Sequence, residues 1–296
     1  MIYDVSGNSI SNIYAVDGTS LSVAYDVNGN SLYGRPQIDY SNYSYTQKWA
    51  SKGISDTQGF DIYDGKVFWI SKSGDSTISA NCYVFNLSDG SQALSSQPIT
   101  VYSGHGNNIS FSFPKMYASP AYPPSRVYVN NVSNDFLTFT LDKTLTFDDG
   151  TADLDCCIDE DDSTIMWTLG HISGTATRWI ISKWDLTQLT DNGDDTYTPY
   201  LIWKGKTSQP ESNRYFQGIR YHDGILWYNS GYGTETAYTY GVNPTTGAVL
   251  YSINHGITTE PEGLSWVADA DAVGGYALYV GFQGMMLRKY TFAELS

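Results

Sequence analysis

Basic residues are scarce in this sequence. Sixteen lysines and arginines face 31 aspartates and glutamates, a formal net charge of −15. Such a chain repels nucleic acid, anionic membranes and other polyanions at long range. Neutral glycans, cation-bridged ligands and proteins remain as partners. Cysteine is scarce as well. Cys82, Cys156 and Cys157 are an odd set with no framework spacing, which argues against a disulfide scaffold. No apolar run approaches the roughly 18 residues of a membrane-spanning helix. The opening Met1-Ile2-Tyr3-Asp4 has neither the basic segment nor the apolar stretch of a secretory signal, so folding in a cytoplasm is expected. A Gly-rich phosphate loop, a paired CxxC motif and a GxSxG nucleophile turn are all missing, and the sequence implies no cofactor and no metal.

What the chain has is strand material and turns. Its 25 tyrosines suit a pleated surface, where the ring packs and the hydroxyl reaches water. The 28 glycines and 10 prolines punctuate short apolar runs rather than forming low-complexity tracts. Near the start, Tyr3-Asp4-Val5-Ser6-Gly7-Asn8-Ser9-Ile10 recurs from Tyr14 and again from Tyr25, an 11-residue period of strand, Gly-centred turn and strand. Three such units bury little surface alone, so residues 1–36 are expected to be a repetitive β arm that docks on another chain. Residues 37–44, rich in Ser, Asn and Tyr, read as a linker.

A second repeat fills residues 45–296. Gln58-Gly59-Phe60-Asp61-Ile62-Tyr63-Asp64-Gly65 leads into Lys66-Val67-Phe68-Trp69, and Gln217-Gly218-Ile219-Arg220-Tyr221-His222-Asp223-Gly224 leads into Ile225-Leu226-Trp227. Glu262-Gly263-Leu264-Ser265-Trp266 before Tyr276–Val280 is a third copy. Weaker copies run from Asn107 to Val129 and from Asp153 to Trp167. The landmarks Gly59, Asn108, Asp155, Gly218 and Gly263 are separated by 49, 47, 63 and 45 residues, the period of a four-stranded blade. The long interval contains an insert, Thr190–Thr196. The fifth blade lacks an outer strand at the C-terminus, and Tyr45–Trp49 is available to supply it; an unpaired edge there would be a liability. The expectation is an all-β, five-bladed β-propeller closed by pairing the segment near Trp49 with that near Tyr290.

Polar residues recur where each innermost strand begins: Gln58, then His105, Asn107 and Asn108, then Asp153 and Asp155, then Tyr215 and Gln217, then His255, Glu260 and Glu262. Two readings compete. These groups either hydrogen-bond neighbouring sheets where backbones converge, or form a polar ring around a ligand. The candidate ligand-binding set is Gln58, His105, Asn107, Asn108, Asp155, Tyr215, Gln217, Glu260 and Glu262. Asp155 and Glu262 are the carboxylates to consider for hydrolysis of a glycoside. The acidic stretch Asp148–Asp162 has no calcium-loop spacing and reads as a solvated turn, as does Asp191–Asp195. His171 and His222 read as surface residues. Trp179, Trp184 and Tyr232, if exposed, would suit stacking on sugars.

At these phrases the chain resembles a family of five-bladed propellers from phages and prophages of Gram-positive bacteria. The resemblance rests on QG-x3-DG with an aromatic strand (Gln58 to Trp69, Gln217 to Trp227), on Gly104-His105-Gly106-Asn107-Asn108-Ile109 and on Glu260-Pro261-Glu262, and spans residues 46–296. It implies a virion tail fibre or receptor-binding protein, usually trimeric, that binds host cell-surface polymers such as teichoic acid. The arm would then join other virion proteins. The net charge departs from that pattern and disfavours a phosphate polymer, so a surface glycan is the expected ligand. A glycoside hydrolase and a purely structural virion component are the alternatives.

Overall fold

A computed structural model describes residues 2–3, 9–10, 38–72, 78–120, 125–172, 178–208 and 216–295. At the start, β1 (Ile2–Tyr3) and β2 (Ser9–Ile10) form a small antiparallel pair in the first tyrosine repeat. The rest of the expected arm lies outside the described residues.

The next strand, β3 (Ile38–Trp49), runs through the stretch expected to be a linker. The polar Ser/Asn/Tyr composition hid an alternation that strand pairing uses. Tyr40 is buried, and its ring meets Trp227, Tyr251, Trp266 and Phe292 edge-on at centroid distances of 5.0 to 5.8 Å. Such edge-to-face contacts add to simple area burial.

Every strand that follows belongs to a four-stranded antiparallel unit. The first unit is β4 (Thr57–Tyr63), β5 (Lys66–Ser71), β6 (Ser79–Asn86) and β7 (Ile99–Tyr102). The second is β8 (Asn108–Ser112), β9 (Lys115–Ser119), β10 (Arg126–Val132) and β11 (Phe139–Thr146). Here Arg126–Val129 was expected to follow the innermost strand directly; the short β9 intervenes, and Arg126–Val132 is third. The third unit is β12 (Thr151–Ile158), β13 (Ile165–Ile172), β14 (Arg178–Gly193) and β15 (Thr196–Ser208). Its long β14–β15 hairpin accounts for the expected insert. The fourth is β16 (Phe216–His222), β17 (Ile225–Ser230), β18 (Tyr238–Val242) and β19 (Val249–Asn254). The last combines β20 (Pro261–Ala268), β21 (Tyr276–Phe282) and β22 (Met286–Glu294) with β3, in the order β20-β21-β22-β3. Leu287 lies opposite Trp49 and Tyr290 opposite Tyr45, so the N-terminal segment pairs with the C-terminal strand as expected.

The second and third units share one eight-stranded sheet, because β11 and β15 join in parallel at Thr144↔Thr196 and Leu145↔Tyr197. This sheet bends until its edge strands β8 and β12 lie against each other, a nearly closed, barrel-like form. The innermost strands touch in cyclic order: β4 with β8, β8 with β12, β12 with β16, β16 with β20, and β20 with β4. Apolar clusters fill the gaps between successive units. One of them packs Trp49, Ala277, Tyr279 and Leu287 against Phe60, Val67 and Trp69, joining the last unit to the first.

Turn chemistry follows from the Asp-Gly pairs. Asp64 and Gly65 have φ of 49° and 67°, and Asp223 and Gly224 have 52° and 76°. Two successive residues at positive φ make the tight hairpin turn whose twist matches its strands. The three cysteines are buried and unbridged, and burial pushes the Cys82 and Cys157 thiols up to about 12. Among the described residues no helix is long and apolar enough to cross a membrane.

Candidate functional site

The five innermost strands begin at one end of their ring, and there a cavity of about 520 Å³ opens. Gln58 of β4 reaches it, with His105 and Asn107 from the loop before β8. Asp153 and Asp155 of β12, Gln217 of β16 and Glu260 just before β20 complete its polar lining. Phe216, His171 and the exposed Tyr232 give it an aromatic side, and Gln283 lies on its rim. Among the described residues neither lysine nor arginine lines it.

Backbone irregularities aim several of these groups. The β4–β5 register slips between Thr57 and Phe60, the β16–β17 register between Gln217 and Ile219, and the β20–β21 register between Pro261 and Gly263. Each slip falls on the polar residue-glycine pair of its repeat. A bulge leaves one residue out of the ladder and turns its side chain. The glycines also let backbones meet: a Cβ on Gly59 would lie 2.6 Å from the Cα of Asn108.

Asp155 is the hub. It is fully buried and accepts from Asn107 Nδ2 at 3.0 and 2.9 Å, Ser119 Oγ at 3.1 Å and the Gly218 amide at 2.7 Å. Burial nonetheless pushes its carboxyl up to about 7, against the pull of these donors. Gln217 donates through Nε2 to Glu260, whose carboxyl burial raises. Asp153 Oδ1 lies 2.8 Å from His171 Nδ1, and the His171 ring packs 4.7 Å from Phe216.

Of the nine expected ligand residues, Gln58, His105, Asn107, Asp155, Gln217 and Glu260 meet in this cavity. Asn108 and Glu262 do not line it; both are buried beneath. Asn108 Nδ2 donates to the carbonyls of Cys156 at 2.6 Å and Ile219 at 3.2 Å, bridging β12 and β16. Tyr215 lies outside the described residues. His255 faces away, buried between Thr239 Oγ1 at 2.9 Å and the Tyr290 hydroxyl at 2.6 Å, and burial pushes it down to about 3. Trp179 and Trp184 are fully buried core rings, unlike Tyr232. Phe216 and Gln283 were not anticipated. Phe216 stands beside a recognised glutamine and was legible; Gln283, in a turn after β21, carried no signal.

The opposite end of the same strands is built differently. A smaller cavity of about 220 Å³ is lined in part by Asp61, Arg220, Ser265 and Trp266. Arg220 pairs with Asp61 at 2.7 Å, both nearly buried, and Asp61 also accepts from Ser265 Oγ at 2.8 Å and the Phe111 amide at 2.7 Å. Two expected surface features turn inward. His222 is buried, stacks on Trp266 at 4.2 Å and meets Glu160 at 2.5 Å. Within the acidic stretch, Asp149 takes Ser182 Oγ at 2.6 Å and Asp159 takes Trp167 Nε1 at 2.9 Å. Those two carboxylates are therefore buried acceptors rather than parts of a solvated turn.

No family model matches the chain, and no curated protein matches it in sequence. Among solved structures, the glutaminyl cyclase of Myxococcus xanthus is similar over 87% of this chain and 100% of that one, with 10% identity and a TM-score of 0.53. The tail fibre of Staphylococcus aureus phage P68 is similar over 86% of this chain and 53% of that one, with 15% identity and a TM-score of 0.46. At these identities the cyclase likeness speaks to fold alone.

Proposed function

We propose that the chain from residue 45 onward is a five-bladed β-propeller that binds a host cell-surface glycan as part of a phage tail fibre or receptor-binding protein. The propeller reading draws support from the cyclic contacts of the innermost strands and from the β3–β22 pairing. The binding reading rests on one observation: polar side chains from the starts of all five innermost strands converge on a single open cavity.

The cavity chemistry fits a hydroxyl-rich ligand. Amides at Gln58, Asn107 and Gln283 offer donors and acceptors together, while Asp153 and Glu260 accept only. Tyr232 and Phe216 supply faces for the apolar side of a sugar ring. Among the described residues the lining holds no lysine or arginine to answer a phosphate, which favours a neutral polymer over a phosphate-bearing one. The virion assignment draws on the sequence resemblance, and the N-terminal arm is assigned to assembly with sister chains or other virion proteins. Binding of the full chain to purified neutral polysaccharides from Gram-positive cell surfaces tests the reading. Saturable binding that Tyr232→Ala weakens is the expected result; absence of binding to every polysaccharide and to intact cells would remove it.

A glycoside hydrolase is the second reading, favoured by three carboxylates, Asp153, Asp155 and Glu260, in one cavity. Against it, Asp155 accepts from three separate donor groups, which suits a structural anchor better than a proton donor. Release of reducing ends from a polysaccharide that binds would favour the hydrolase.

A further inference from the structure

The larger cavity presents carboxylates without a matching supply of positive charge. Glu260 is partly buried in its wall, and the side-chain hydrogen bond it accepts comes from the neutral Gln217 amide. Burial raises its carboxyl, against the pull of that amide. Gln217 lines the same cavity at 8% exposure and keeps its Oε1 without a donor among the described residues. Asp153, held against His171, shares the lining, and among the described residues no lysine or arginine does.

A neutral sugar seated here would strip water from Glu260 and put nothing positive in its place. Covering a carboxylate without a partner charge is unfavourable, because the lost hydration is not replaced. Sugar hydroxyls recover part of that loss. A charged donor recovers more, since its hydrogen bond to a carboxylate is shorter and stronger. It also favours the ionised form that burial disfavours. The Tyr232 and Phe216 rings attract a cation as well as the apolar side of a sugar. At longer range the net charge of −15 draws positive groups towards the chain.

We propose that the glycan unit entering this cavity is an amino sugar whose amine is unacetylated and is held, as an ammonium group, on the Glu260 carboxylate. The inference rests on the glycan reading and narrows it to polymers that carry free amines. The Gln217–Glu260 hydrogen bond fixes the carboxylate, and the register slip between Gln217 and Ile219 sets the start of that bond. Gln217 Oε1, on the same amide, is an open acceptor beside it. A carboxylate has about four acceptor positions, so the ring hydroxyl next to the amine can share Glu260. An N-acetyl group would fail twice: it removes the charge, and its carbonyl adds an acceptor where acceptors are already in excess.

Methyl glycosides of glucosamine, galactosamine and mannosamine, their N-acetyl forms and the parent hexoses are titrated into the full chain by NMR at about pH 6.5, where an amine is protonated. At least one amine form should bind about tenfold more tightly than its N-acetyl and hydroxyl counterparts. Glu260→Gln should reduce that preference to about twofold or less. α-N-acetyl-lysine methylamide, an amine without a sugar ring, should bind about fivefold more weakly than the amino sugar. Asp194→Asn, in the exposed turn between β14 and β15, removes the same charge outside the cavity and should leave the preference intact. No binding by any amine form, no preference for the amine in any series, a preference that survives in Glu260→Gln, an equal loss in Asp194→Asn, or equal binding of the lysine derivative would overturn the proposal. Sugar binding without an amine preference removes this inference and leaves the glycan reading in place; absence of binding by every sugar and every polysaccharide removes both. Should Glu260→Gln fail to fold, the amine, acetamide and hydroxyl series on the wild-type chain decides the matter alone.

Discussion

The two ends of the ring of innermost strands hold comparable amounts of buried charge and treat it in opposite ways. At the end with the smaller cavity, the narrow end, as against the wide end with the larger one, Arg220 answers Asp61, and serine and amide donors complete the set. At the wide end Asp155 is saturated, but among the described residues Glu262, Gln217 and Asn108 keep oxygens without donors, and no lysine or arginine lines the cavity. At the narrow end the buried charges are paired, though Trp266 Nε1 has no partner among the described residues; that pairing suits stability, and the open acceptors at the wide end are what the binding proposal draws on.

The largest test of that contrast is Arg220→Met. It leaves Asp61 charged and buried without its partner, at a cost of about 3–5 kcal/mol by urea denaturation. Gln217→Ala at the wide end should cost no more than about 1 kcal/mol. Equal losses would erase the distinction. Gly218→Ala comes next. With φ at 73° and the Gly263 Cα 2.9 Å from the new methyl, it should lose about 1–3 kcal/mol, and a neutral outcome would mean the strands are not so tightly converged.

The third prediction concerns pH. Asp155 holds its proton up to about 7 in the native state, while an unfolded aspartate releases it near 4. Between those values the native state binds more protons, so this group's contribution to stability falls as pH rises, by an amount on the order of 1–3 kcal/mol. Asp155→Asn should flatten the slope of unfolding free energy between pH 5 and pH 8; an unchanged slope would contradict it. His255 acts oppositely. Held neutral down to about 3, it costs stability as pH falls below the ordinary histidine value, because the unfolded chain takes up a proton there that the native state refuses. The smallest stability effect belongs to Tyr232→Ala. This exposed ring should change unfolding free energy by less than about 0.5 kcal/mol while reducing glycan affinity roughly tenfold in a binding titration.

Much of the strand framework was legible because it is written in local phrases. The Gln-Gly and Glu-Gly starts, the Asp-Gly turns and the aromatic second strands fall where the repeat put them, and the segment near Trp49 pairs with the C-terminal strand. Local phrases also misled. Ser, Asn and Tyr at 38–44 look like linker composition, yet alternate residues of β3 face a partner, and Tyr40 anchors an aromatic cluster. The five-residue β9 has too few residues for any periodicity to register.

Six of the nine candidate residues share the cavity, since an equivalent position in each repeat is an equivalent position in space. What stayed hidden depends on contacts between distant segments. Nothing near Asp61 announces Arg220, nothing near His222 announces Glu160, and nothing near Asp149 announces Ser182. A carboxylate in a polar stretch reads as solvated until the partner sheet that covers it is known. Glu262 was recognised as unusual, but its depth and lack of donors follow from the packing of β20 against β4 and β16.

The central claim is that the wide end is where the ligand sits. The most direct measurement is a crystal structure of the full chain soaked with an oligosaccharide from a polysaccharide that binds. The account predicts a sugar ring against Tyr232 and Phe216, with its hydroxyls on Gln58, Asn107 and Glu260. A sugar seated on the outer strands, with the wide-end cavity holding water alone, would contradict it.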